Sequence, residues 1–120
     1  MTKNILIINS DPEASRIIAS NLSSPNTEIV YEYSMEEALK TYAQKEFCLI
    51  ILDAAMSAED DHRLLAALRK SKTTPILILS SQSCRVERLR VLRAGAHAYI
   101  GHPYSMEECL AQAQALMQLY

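Results

Sequence analysis

At 120 residues, 49% apolar and 22% charged, the chain has the size and composition of one globular domain, 1–120, whose single core needs no disulfide or metal staple. A formal net charge of -2 argues against a domain that grips nucleic acid or anionic lipid electrostatically. No apolar run approaches the ~20 residues of a membrane span, and Met1-Thr2-Lys3-Asn4 enters a strand-like stretch without a signal peptide's layout, so a cytoplasmic protein is expected.

The first element is an unbroken apolar run, Ile5-Leu6-Ile7-Ile8, which predicts a strand buried on both faces, the habit of central strands in a parallel sheet. It breaks into Asn9-Ser10-Asp11, and Asp11-Pro12-Glu13 opens a helix with Asp as cap, Pro at the first helical position and acid in the first turn. Glu28-Ile29-Val30-Tyr31-Glu32-Tyr33 partly alternates and predicts a less buried strand nearer the sheet edge. Ser34-Met35-Glu36-Glu37 is a capping box, continued at helical spacing by Met35, Ala38, Leu39, Tyr42 and Ala43. Leu49-Ile50-Ile51-Leu52 predicts a third strand, ended by Asp53, and Leu64, Leu65 and Leu68 mark a third helix. Ile76-Leu77-Ile78-Leu79 predicts a fourth strand ended by Ser80-Ser81-Gln82, and Val86, Leu89 and Leu92 mark a fourth helix that stops at Gly95. A short strand from about His97 to Gly101 follows. A second capping box, Ser105-Met106-Glu107-Glu108, then opens a last helix carried by Met106, Cys109, Leu110, Ala113 and Met117. Strands alternating with helices in this way make a parallel sheet covered by helices on both faces.

Each buried run ends abruptly in polar residues, and in an open parallel sheet the carboxyl ends of neighbouring strands form the crevice where ligands bind. Asp53, with hydroxyls and main-chain N–H groups around it, has the chemistry to hold a divalent cation or accept a phosphoryl group; capping helices and solvating strand ends is the plainer role for Asp53, Ser80 and Ser81. The only glycines, Gly95 and Gly101, do not open a helix after a strand, which removes Rossmann and P-loop readings. Cys48, Cys84 and Cys109 form no Cys-x-x-Cys pair and read as reduced thiols, while His62, His97 and His102 lack metal-ligand spacing.

Over its whole length the chain resembles the receiver domain of two-component response regulators. Ile5 to Pro12 is similar to the first strand and acidic turn of that family, Leu52-Asp53-Ala54-Ala55-Met56 to its phosphoacceptor strand end, and Ser80 to the hydroxyl residue that ends its fourth strand. Gly95-Ala96-His97-Ala98-Tyr99-Ile100-Gly101-His102-Pro103-Tyr104 resembles its Gly-Ala-Asp-Asp-Tyr to Lys-Pro-Phe stretch. The resemblance implies an α/β flavodoxin-like (βα)5 fold, doubly wound, with a sheet of order 2-1-3-4-5, and a signalling rather than enzymatic role. It implies Asp53 as phosphoacceptor, charged by a histidine kinase, a phosphotransfer protein or a small phosphodonor with Mg2+. Ser80 would contact the phosphoryl group, Tyr99 would be the aromatic switch, and His102 stands where the family has lysine.

Departures from the family pattern weaken the expected metal site. The positions of an acidic pair are held by Asn9 and Ser10, leaving Mg2+ to Asp53, Asn9, Ser10 and Ala55, with Asp11 as a compensating carboxylate if it does not cap the helix, and hard cations favour charged oxygens. A histidine near its reference pKa of about 6.5 replaces a permanent cation at His102. Ser57 and Asp61 stand where the loop after the acceptor has proline and glycine, and Glu59-Asp60-Asp61 makes that loop acidic, favouring the N-terminus of the third helix. Arg85, Arg88, Arg90 and Arg93 crowd the fourth helix and suggest a partner surface, because the family uses the face of helix four, strand five and helix five for homodimers or output contacts; a solvated basic helix is the alternative. A phosphorylation-independent pseudo-receiver working through protein contacts is the second functional expectation, and a small flavodoxin-like enzyme or cofactor binder the third.

Overall fold

The three unbroken apolar runs lie side by side at the centre of one parallel sheet in the computed structural model, which describes residues 3–9, 12–54, 58–69, 74–80, 85–101 and 105–118. In chain order the elements are β1 (Lys3–Ile8), α1 (Pro12–Leu22), β2 (Thr27–Glu32), α2 (Met35–Gln44), β3 (Leu49–Ala54), α3 (Ala58–Leu68), β4 (Ile76–Ser80), α4 (Arg85–Arg93), β5 (Ala98–Gly101) and α5 (Met106–Met117). The sheet runs β2-β1-β3-β4-β5, the expected order, and every pairing is parallel.

Period-two alternation divides the core between the two faces of the sheet. Ile5, Ile7, Leu49, Ile51, Leu77 and Leu79 pack with Ile18 and Leu22 of α1 and with Cys109, Ala113 and Leu116 of α5. Leu6, Ile8, Ile50, Leu52, Ile76 and Ile78 pack on the other face against Ala38 and Tyr42 of α2, Leu64, Leu65 and Leu68 of α3, and Val91 of α4. Burial of each such side chain is worth about 1.5–3 kcal/mol over exposure, so the sheet centre holds the carboxyl ends of β1, β3 and β4 in fixed register.

Both capping boxes form on their donor side. Ser34 Oγ accepts the Glu37 N–H at 3.3 Å, and Ser105 Oγ accepts that of Glu108 at 3.1 Å. Cys48 and Cys109 are free, buried thiols whose pKa burial raises, while Cys84 lies outside the described residues.

Four details differ from the sequence reading. β2 ends at Glu32, which pairs with Ile8, the last residue of β1; Tyr33 has no strand opposite it and is 51% exposed. β5 begins at Ala98, with His97 just ahead of it. Glu59, Asp60 and Asp61 are within the first turn of α3 rather than in the loop before it. The apolar stripe expected on α4 is partly turned: Val86 is 74% and Leu89 43% exposed, Leu92 packs half-buried against the core, and Val91 is the buried residue of that helix.

A polar cluster closes the opposite, amino-terminal edge. Tyr42 Oη donates to Thr74 Oγ1 at 3.0 Å, and Arg69 Nη2 donates to the Thr74 carbonyl. The Ile76 N–H donates to His97 Nδ1 at 3.2 Å, while the His97 N–H donates to the Ile76 carbonyl at 2.9 Å. α4 stops in a Schellman arrangement, with the Ala96 N–H on the Val91 carbonyl at 3.0 Å, the Gly95 N–H on the Leu92 carbonyl at 3.3 Å, and Gly95 at φ 123°.

Candidate functional site

The parallel sheet delivers its chemistry to one edge. Ile8 pairs with Leu52, so Asn9 and Asp53 follow together at the ends of β1 and β3. Asn9 is buried, and its N–H donates to the Glu32 carbonyl at 3.1 Å, tying it to β2. Asp53 pairs with Leu79, Ala54 with Ser80, and Ser80 with Gly101. Asp53 and Ser80 are therefore one residue apart in register on adjacent strands, Asp53 half-buried and Ser80 buried.

Alternation decides which way Ser80 faces. Ile76 and Ile78 belong to the core under α2, α3 and α4, and Ser80, two residues on, meets that same side, where its hydroxyl donates to Glu87 Oε1 of α4 at 3.4 Å. Tyr99 pairs with Ile78 and packs against the same core. A serine at the end of β4 and an aromatic on β5 thus share the sheet face that α4 covers.

Among the described residues the charge at this edge is sparse. Of Asn9, Asp53 and Ser80, only Asp53 carries a carboxylate, and the described residues contain no group of three His, Cys, Asp or Glu able to hold a metal. Glu32, ending β2, accepts the Thr41 hydroxyl of α2. Ser10, Ala55 and His102, the other expected site residues, lie outside the described residues, as does the proposed cap Asp11.

Arg85, Arg88, Arg90 and Arg93 are all exposed, and among the described residues none of them forms an ion pair. With Val86, Leu89 and Ala94, Arg90 and Arg93 line a surface groove of about 360 Å³. The residue the sequence reading missed is Glu87. Its position four before Val91 places it on the inward face of α4, a relation visible in the sequence only once Val91 is known to be the buried residue.

Comparison with known proteins agrees with this geometry. The family model described as the response regulator receiver domain matches residues 5–114. Over 98% of its length the chain is 30% identical to the response regulator ArlR of Staphylococcus saprophyticus, of which it covers 53%. The chain spans about half the length of the curated relatives it matches. A two-component response regulator from Clostridium difficile superposes with a TM-score of 0.87 at 25% identity, covering 98% of this chain and 97% of that one. The chemotaxis response regulator CheY4 of Vibrio cholerae shares the fold, with a TM-score of 0.84 at 21% identity and coverage of 97% and 99%. No described helix is long and apolar enough to cross a membrane. With a matching family model over nearly the whole chain, the sheet order of the fold, and an aspartate, a serine and a tyrosine at the expected strand positions, the chain belongs to the response regulator receiver domain family of two-component signal transduction.

Proposed function

We propose that Asp53 is the phosphoacceptor of this receiver domain. The observation that carries this reading is the register at the sheet edge: Asp53, next to last in β3, lies one residue out of register from Ser80 at the end of β4, and Tyr99 of β5 lies on the face Ser80 meets. A carboxylate oxygen of Asp53 attacks the phosphorus of a phosphohistidine or a small acyl phosphate. The aspartyl P–O bond forms as the bond to the donor's imidazole nitrogen or acyl oxygen breaks, and the donor leaves with the electron pair. The match to the receiver family favours this phosphorelay reading over a phosphorylation-independent pseudo-receiver and over an enzyme.

The donor set fits a weak Mg2+ site. Asp53 offers a charged oxygen and Asn9 a neutral amide oxygen, with Ser10 and Ala55 as the further candidates, and Mg2+ commonly takes one or two carboxylates and fills its remaining positions with water and phosphate oxygens. Bound there, the ion would neutralise the phosphoryl oxygens as charge crowds onto them. Ser80 donates its hydroxyl to the phosphoryl group, and Tyr99 repacks on the same face as Ser80 moves, a two-state element biased by a local charge. His102, where the family has lysine, supplies less pairing to the phosphoryl oxygens at neutral pH.

The partners of this chemistry are a histidine kinase or phosphotransfer protein as donor, and a second copy or an output domain on the face of α4, β5 and α5. The exposed Arg85, Arg88, Arg90 and Arg93 support that placement, favouring an acidic partner surface over nucleic acid given the net charge of -2. The cytoplasm is the compartment in which such a relay operates.

Intact-mass measurement after incubation with acetyl phosphate and Mg2+ tests the reading. A phosphoryl adduct is expected, lost in Asp53→Asn. Absence of any adduct at saturating magnesium and with a cognate kinase would overturn it.

A further inference from the structure

α4 turns a carboxylate inward. Glu87 and Val91 are four residues apart and share a helix face; Val91 is buried and Glu87 half-buried, whereas Val86 and Leu89 face water. Leaving two apolar side chains exposed while half-burying a carboxylate forgoes apolar burial and adds a desolvation cost, so the arrangement calls for a compensating contact. That contact is the Ser80 hydroxyl, which donates to Glu87 Oε1 at 3.4 Å from a buried position at the end of β4. A serine hydroxyl has one proton to donate.

We infer that Glu87 is a positioning residue for the switch: its carboxylate holds the Ser80 hydroxyl toward α4 in the unphosphorylated domain, and the phosphoryl group on Asp53 must take that proton away from it. The inference rests on the reading of Asp53 as phosphoacceptor. One donor cannot serve two anions, so Glu87 and the phosphoryl group compete. When the phosphoryl group wins, the tie between β4 and α4 breaks. Val91 is the only buried side chain of α4, so loss of the tie falls on the element that carries the exposed arginines. Glu87 in the first turn also favours the helix N-terminus through the helix dipole, a role that does not involve Ser80.

Beryllofluoride with Mg2+, a mimic of the phosphoryl group, separates the two roles when titrated into the full chain as wild type, Glu87→Gln, Ser80→Ala and the double variant. Glu87→Gln is expected to bind the mimic roughly three- to tenfold more tightly, as removal of a charged hydrogen-bond acceptor allows. In the Ser80→Ala background the same substitution is expected to change nothing. An equal effect in both backgrounds overturns the inference, because Glu87 would then act through the helix and not through Ser80. A second readout needs no phosphoryl chemistry: in the free protein the Ser80 Cβ resonance should shift on Glu87→Gln. A Ser80 resonance indifferent to Glu87 overturns the positioning contact. If no form, wild type included, binds beryllofluoride, the Asp53 reading and the competition both fall, while a Ser80 response to Glu87 would leave the contact itself standing.

Discussion

Gly95 lies against the stem of Arg69, so closely that a Cβ added to the glycine would stand 2.5 Å from Arg69 Cγ and 2.9 Å from its Cδ. The stem has little room to retreat, because the Arg69 guanidinium donates to the Thr74 carbonyl. Gly95 also sits at φ 123°, a conformation side chains rarely adopt. Gly95→Ala should therefore cost about 1–3 kcal/mol, read as a lower urea midpoint at unchanged slope. Adding Arg69→Ala should return the steric part of that loss and leave the backbone part. A cost within about 0.5 kcal/mol, the range of ordinary surface substitutions, would mean that the Arg69 stem yields freely and that the backbone at Gly95 relaxes without penalty.

His97 makes stability depend on pH at the same edge. Its Nδ1 accepts the Ile76 N–H, which requires a neutral ring. Burial lowers its pKa below the usual 6.5, and the nearby Arg69 charge lowers it further. The unfolded chain therefore takes up the proton first as pH falls. Its contribution is fully present above about pH 6.5 and is lost as pH falls from there through the lowered folded-state value. Urea midpoints at pH 7.5 and pH 5 should differ more for wild type than for His97→Ala. Equal differences in the two proteins would remove His97 as the cause.

Much of the architecture is legible in the sequence because β1, β3 and β4 are buried on both faces, and an unbroken run of branched apolar residues has few other homes. The capping boxes at Ser34 and Ser105 are local chemistry and are equally readable. Asp53 and Ser80 follow from where the apolar runs stop. α4 is different: it packs on α3 and β5 rather than on the sheet centre, so it buries one residue, and of the stripe Val86, Leu89 and Leu92 only Leu92 meets the core while the other two face out. Glu87 was hidden for the same reason, since an acid in a first turn reads as dipole compensation until the helix rotation is known. His97 and Arg69 meet Thr74 and Ile76 only through tertiary packing, which no spacing rule encodes.

The two caps should act independently. Ser34 starts α2 on one face of the sheet, and Ser105 starts α5 on the other. Replacing either serine with alanine removes one side-chain acceptor from a helix N-terminus and should cost about 1 kcal/mol. The double variant should lose the sum to within about 0.5 kcal/mol, because the sites share no partner. A shortfall much larger than that in calorimetric or urea unfolding would reveal coupling through the sheet.

In the proposed magnesium site, Asn9 would set the strength of binding. It follows β1 beside the end of β3, where Asp53 supplies the carboxylate, and its amide brings oxygen without charge. Asn9→Asp adds a second hard anionic ligand, so Mg2+ should bind roughly tenfold more tightly, about 1.4 kcal/mol. Without the ion, the same substitution places two carboxylates at one partly buried edge, and like charges there disfavour both being ionised. The variant should therefore be less stable than wild type in chelator and recover its loss as magnesium is added, since an ion bound only to the folded state stabilises by mass action. Thermal unfolding across a magnesium series measures both effects, with Asp53→Asn in the Asn9→Asp background as control. If Asn9→Asp gains no magnesium dependence, or gains it equally without Asp53, the ion is held elsewhere and the pairing of Asn9 with Asp53 as its ligands is wrong.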